Sequence, residues 1–174
     1  MRGVMSKAKV MVALRDKVSV DILIDLACQL ATGMGAELIA LHVVQVPMVT
    51  PLDATDESID QEGKEILAQA SRIAVGKAPA GFSTELVRAR NAGETIVGEA
   101  RDQHVDLLVV GHDRQHELSE FLLGSTVRHV AHHAPCRVIV QIPAPDQPKA
   151  RPVPERGPAV ISRAWADDLG GVVL

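Results

Sequence analysis

The chain has 174 residues, of which 47% are hydrophobic and 23% charged, so it is long and apolar enough for one globular domain with its own core. Only 2% of the residues are aromatic and the formal net charge is −4, which argues against a base-stacking surface or a basic footprint for nucleic acid. No stretch approaches the roughly 20 apolar residues of a membrane span, and residues 1–7 lack the apolar run of a signal peptide. We therefore expect a soluble, cytoplasmic protein that binds neither nucleic acid nor a membrane.

Strand-like and helix-like segments alternate along the chain. Strands are predicted at residues 9–14, 37–44, 83–89, 105–110 and 136–142. Apolar residues at helical spacing predict a helix that begins after Ser19 as N-cap and ends at Gly33 or Gly35, and three more over about 59–74, 92–100 and 127–134. The inward positions predicted for the first and last helices are Ile22, Leu23, Leu26, Ala27, Leu30, Val127, Val130, Ala131 and Ala134. Such alternation predicts an α/β fold, an open five-stranded parallel sheet with helices on both faces.

The composition changes at residue 143. Six prolines fall within the sixteen residues 143–158, which excludes a regular element there. We therefore predict a domain over residues 8–142, followed by a proline-rich tail over 143–174 with a short terminal segment around Trp165.

Two glycines separated by twelve residues mark the candidate ligand site. Gly111 follows the fourth predicted strand, and Gly124 precedes Ser125 and Thr126 at the start of the fourth predicted helix. Ligands of open parallel sheets bind beyond the carboxyl ends of the strands, where the strand order reverses. The unpaired N–H groups of a helix start there favour an anion such as phosphate. The spacing alone also allows a purely structural alternative, in which Gly111 turns the chain and Ser125 caps the helix.

Several motifs, in this order and spacing, resemble the universal stress protein family. They are Leu41-His42-Val43-Val44, the segment from Gly93 to Gly111, the pair Gly111 and Gly124-Ser125, and Ala134-Pro135-Cys136 before the last strand. The resemblance covers about residues 8–142. It implies an adenine-nucleotide alpha hydrolase-like (Rossmann-like) α/β fold, a homodimer paired through the last strand, and, in many members, binding of ATP or AMP without efficient turnover.

The same resemblance, carried over position by position, implies a set of binding residues. The phosphate side would comprise Gly111, Arg114, Gly124, Ser125 and Thr126 with Val127 behind them, and the adenine side Ala13, Leu14, Arg15 and Val43. Arg114 stands at the middle glycine of the family pattern, and Arg15 where nucleotide binders usually carry an aspartate. Arg114 either fills the phosphate pocket with its own guanidinium or clamps an anion bidentately. Asp16 and Asp113 could hold Mg²⁺ beside a bound triphosphate.

The remaining polar residues predict neither a metal site nor catalysis. His129, His132 and His133 share one helical face, which is predicted to be solvated, and no carboxylate or cysteine at ligand spacing completes the set. Cys28 and Cys136 lie in apolar segments and are predicted to be buried, unpaired thiols. No catalytic motif is present, so no catalytic residue is predicted.

Three functions stay open at this point. One is a stress-response regulator with a partly kept ATP or AMP site, which Gly124-Ser125 favours. Another is a dimeric interaction module that binds no nucleotide and acts through a protein partner, which Arg15 and Arg114 favour. The third, a slow nucleotide hydrolase, rests only on the acidic loop residues.

Overall fold

A computed structural model describes residues 7–49, 51, 57–78, 81–112 and 123–143. In this part of the chain the strands are β1 (Lys9–Leu14), β2 (Glu37–Gln45), β3 (Phe82–Ala89), β4 (Leu107–Gly111) and β5 (Arg137–Gln141). They form one sheet in the order β3-β2-β1-β4-β5, and every neighbouring pair is parallel. The predicted open, five-stranded parallel sheet is confirmed.

Helices cover both faces of this sheet. On one face α1 (Val20–Met34) and α2 (Glu57–Ala74) pack against inward side chains such as Val10 and Val12. On the other face α3 (Ala92–Asp102) and α4 (Ser125–His133) pack against a second cluster that includes Met11 and Leu108. Successive strand residues point to opposite faces, so the two cores share β1, β2 and β4 as their common wall. None of the helices in the described ranges is long and apolar enough to cross a membrane.

The predicted element boundaries agree with the structure to within a few residues. Gly35, not Gly33, ends α1, because Gly35 adopts the left-handed conformation (φ 61°) that other residues rarely adopt. β4 begins at Leu107 because the Val105 amide is still bonded to the carbonyl of Ala100 at the end of α3.

For two residues the predicted inward position is wrong. Ile22 is 48% exposed, because α1 turns Leu23 and Ile24 toward the sheet instead. Ala131 is exposed, because the short helix α4 buries only Val127 and Val130.

Of the two cysteines, neither of which forms a disulfide, Cys28 is buried as predicted, whereas Cys136 is only half-buried.

A bidentate ion pair joins α2 to the edge strand β3. Arg88 Nε and Nη2 donate to the two carboxylate oxygens of Asp60, at 2.8 and 2.7 Å, and both side chains are about four-fifths buried. The hydrogen bond from Arg88 holds the pKa of Asp60 below its ordinary value. A carboxyl whose pKa is lower in the folded state stabilises the fold above its unfolded pKa, and this contribution is lost as the pH falls through the folded value.

The ion pair therefore predicts a pH dependence. The difference in free energy of unfolding between wild type and Asp60→Asn should be largest near about pH 7 and should shrink below about pH 4. Urea denaturation at about pH 7 and about pH 3 measures it. A difference that does not change with pH would show that the ionised form of Asp60 contributes nothing.

Candidate functional site

The strand order reverses between β1 and β4. These strands are neighbours in the sheet, with Ala13 beside Val110, but β1 leads into α1 and β4 leads toward α4. The helices α1 and α4 lie on opposite faces of the sheet, which opens a crevice beyond the carboxyl ends of the two strands. Gly111, the last residue of β4, lies at this crevice.

The side chains predicted for the adenine side divide between the two faces. Ala13 and Val43 are half-buried and pack on the α3–α4 face, in the same apolar cluster as Val127. Leu14 points to the opposite face, where it is 3% exposed, and its carbonyl oxygen accepts a hydrogen bond from His42 Nδ1 at 2.9 Å. The fold thus brings Ala13, Val43 and Val127 together, whereas the side chain of Leu14 belongs to the other core.

Gly111 and Gly124 are glycines for different reasons. A Cβ on Gly111 would lie 3.0 Å from Cδ1 of Leu23, so the small residue allows α1 to pack closely against β4. A Cβ on Gly124 would meet nothing within 4 Å, and the backbone there is extended (φ −53°, ψ 153°). Gly111 is still paired with Gln141 in the sheet, and the alternative that it turns the chain stays a prediction, because residues 113–122 lie outside the described part of the chain.

Helix α4 begins at a glycine N-cap, which supplies no capping side chain of its own. Gly124 is the N-cap and has no side chain that could cap, Ser125 is already the first helical residue, and among the described residues no side chain accepts a hydrogen bond from the first amides of α4. The alternative in which Ser125 caps the helix is therefore wrong. In α3, by contrast, Asn91 Oδ1 accepts from the amides of Gly93 and Glu94. Within the described residues the first N–H groups of α4 have no side-chain partner, and the positive end of the helix dipole favours an anion there.

The entry to α1 uses Asp16 rather than Ser19. Asp16 Oδ1 accepts from the amides of Val18 and Ser19 and from the Ser19 hydroxyl, each at 3.0 Å. Ser19 occupies the N-cap position, but its helical dihedral angles (φ −86°, ψ −10°) keep its hydroxyl from bonding to the following turn. One carboxylate oxygen of Asp16 is thus already bonded to residues 18 and 19, which makes Asp16 less suited to bind Mg²⁺.

Of the two arginines of the predicted site, the structure describes Arg15 but not Arg114. Arg15 is exposed directly after β1, with no ion-pair or hydrogen-bond partner among the residues described. Arg114 lies outside the described residues, as does Asp113, so the blocking and clamping hypotheses both stay predictions.

A polar groove of about 420 Å³ runs between the start of α3 and α4. Its lining residues are Asn91, Ser125, Thr126, Arg128, His129, His132 and His133. A Cβ on Gly93 would lie 3.0 Å from the Cβ of His129, so this glycine lets α4 approach α3. His129 is consequently half-buried and less solvated than predicted, whereas His132 and His133 are exposed as expected. No group of three or more histidines, cysteines or acids in the described ranges is arranged to hold a metal ion.

His42 is a structural residue of the site that the sequence analysis missed. It is 8% exposed within β2 and ties the end of β1 to its neighbouring strand through the carbonyl of Leu14. The detectable signal is a histidine inside an otherwise apolar strand, because a buried imidazole requires a hydrogen-bond partner.

Comparisons with known proteins agree with this architecture. A family model described as the universal stress protein family matches residues 8–141. Universal stress protein Slr1101 of Synechocystis is 46% identical over 54 residues, which cover 31% of this chain and about half (49%) of that protein.

Two solved structures are similar over most of this chain. Universal stress protein UspA from Lactobacillus plantarum has a TM-score of 0.65 and 27% identity, covering 76% of this chain and 96% of that one. The universal stress protein from Archaeoglobus fulgidus in complex with dAMP has a TM-score of 0.61 and 24% identity, covering 78% of this chain and 98% of that one. The chain therefore resembles universal stress proteins in its fold as well as in its sequence.

Proposed function

The chain belongs to the universal stress protein family, and we propose that it is a cytoplasmic stress-response regulator that binds an adenine nucleotide, ATP or AMP, in the crevice between β1 and β4. The observation that carries the proposal is the start of α4 at Gly124, where no described side chain caps the first amides. Free amides at a helix N-terminus favour a phosphate over water. The dAMP bound by the Archaeoglobus fulgidus protein supports the same ligand class here.

Each end of the nucleotide has residues of matching chemistry. Ala13 and Val43 offer an apolar surface to the adenine on the α3–α4 face, with Val127 behind it. The amides and hydroxyls of Ser125 and Thr126, next to Gly124, would hold the phosphates together with the backbone of Gly111. Arg15 adds a positive charge at the rim of the crevice, and Arg114 is proposed to add a second one as an anion clamp.

We assign binding without turnover to this site. No catalytic residue is proposed, and Mg²⁺ would be held mainly by the phosphates and water because the Asp16 carboxylate is engaged at α1.

The first test is a thermal-shift titration with ATP and AMP, each with and without Mg²⁺. A ligand at about 100 times its Kd should stabilise the fold by about 2.7 kcal/mol, which a melting curve resolves. The Arg114→Gly variant separates the two roles of Arg114, since affinity should fall if the arginine clamps and rise if it blocks. An unchanged melting temperature at millimolar nucleotide would contradict the proposal.

A dimeric interaction module is the second candidate, and the edge strand β5 favours it. β5 pairs only with β4 within the described ranges, and Val138, Ile139 and Val140 are half-buried along it. An apolar strand with an unpaired edge is suited to pairing with a second copy of itself. Sedimentation at micromolar concentration tests this homodimer, and a monomer would remove it. Contacts of the tail with a protein partner belong to the same hypothesis.

A further inference from the structure

Two histidines one helical turn apart on α4 are oriented toward each other. The rings of His129 and His133 stack, with centroids 4.3 Å apart and planes at 18°. His133 Nδ1 lies 2.9 Å from the carbonyl oxygen of His129. A carbonyl oxygen only accepts hydrogen bonds, so Nδ1 carries a proton, and in the neutral imidazole Nε2 of His133 holds the lone pair.

This orientation is the one that metal-binding imidazoles commonly have. A ligating histidine usually donates its other ring N–H to a carbonyl or carboxylate, which fixes the tautomer and the ring. The backbone of His129 is held in place as well, because its Cβ packs against Gly93 of α3. His132 adds a third ring nearby, with its centroid 6.3 Å from that of His133.

The donor set selects the class of ion. The groove is lined by imidazole, hydroxyl, amide and guanidinium groups, with no carboxylate or thiolate. Mg²⁺ requires oxygen ligands and Zn²⁺ sites use three or four protein ligands, which the described residues do not offer as a group. Cu²⁺ and Ni²⁺ bind imidazole nitrogen strongly and accept tetragonal geometries that water can complete.

We propose that His129 and His133 chelate a Cu²⁺ or Ni²⁺ ion through their Nε2 atoms, with water in the remaining positions. Metal–nitrogen bonds of about 2 Å place two adjacent ligand nitrogens about 3 Å apart, so the stacked rings must turn toward each other. The exposed side chain of His133 has room for this turn, which lengthens its Nδ1 hydrogen bond to the carbonyl oxygen of His129. Arg128 lines the same groove and its charge opposes the ion, so Arg128→Gln should tighten binding.

The test is a Cu²⁺ titration of the full chain in a non-coordinating buffer, followed by electron paramagnetic resonance at less than one equivalent of metal. We expect a signal with two imidazole nitrogens, and His133→Gln should raise the Kd at least about 10-fold because it removes one arm of the chelate. His133 is exposed, so this variant should keep the wild-type melting temperature without metal.

His104→Gln is the matched control, since His104 is exposed at the far end of α3. It should bind Cu²⁺ as the wild type does. A Kd for His133→Gln within about twofold of the wild type, or an equal loss in His104→Gln, would overturn the proposal by placing the ion elsewhere.

Discussion

Gly63→Ala is expected to be less stable than Gly98→Ala by about 1–3 kcal/mol in urea denaturation, although each change places an alanine inside a helix. A Cβ on Gly63 would lie 2.6 Å from Cδ1 of Leu86 and 2.7 Å from Cδ2 of His42. The Leu86 methyl can rotate away. The His42 ring cannot move freely, because its Nδ1 is bonded to the carbonyl of Leu14.

Gly98 is the matched control for this prediction. A Cβ there meets nothing within 4 Å, so Gly98→Ala should gain the helix propensity of alanine, about 1 kcal/mol, without a clash. The same propensity gain applies to Gly63, so the difference between the two variants isolates the packing term. Adding His42→Ala should reduce the cost of the alanine at 63. An undiminished cost would show that the imidazole is not the obstacle.

Ser125→Glu is expected to lower nucleotide affinity by about 10- to 100-fold while leaving the fold as stable as the wild type or more so. Ser125 is the exposed first residue of α4, where a carboxylate interacts favourably with the helix dipole by about 0.3–1 kcal/mol. The same carboxylate would occupy the anion position and repel a phosphate. Thermal-shift titrations with AMP and ATP give the affinity, and the melting temperature without ligand gives the stability.

Ser125→Gln is the control for this variant, because glutamine matches glutamate in size but carries no charge. It should lose clearly less affinity than Ser125→Glu. Equal losses would mean that size rather than charge decides binding. Unchanged affinity in Ser125→Glu, with nucleotide still bound, would place the phosphates away from α4.

Some of the structural features on which these predictions depend can be recognised in the sequence, and others cannot. The helix start at Ser125 and the strand end at Gly111 are visible in the sequence, because a glycine after an apolar run and an apolar period of 3.6 are local signals. The contact of Gly63 with His42 is not visible, since these residues are far apart in the chain and meet only when α2 packs on β2. The hydrogen bonds at the entry to α1 are accepted by the carboxylate of Asp16 and not by the hydroxyl of Ser19. This choice depends on the backbone dihedral angles of Ser19, which residue preferences do not specify.

The sequence by itself determined the alternation of strands and helices, the parallel sheet and the family, because periodicity and motif spacing are properties of the chain. The tertiary structure decided the strand order, with the crevice between β1 and β4, and the division of Leu14 and Ala13 between opposite faces. It also decided that His129 packs against α3 while His133 stays exposed. These features arise from how elements distant in sequence pack together, and packing depends on the shape of both partners.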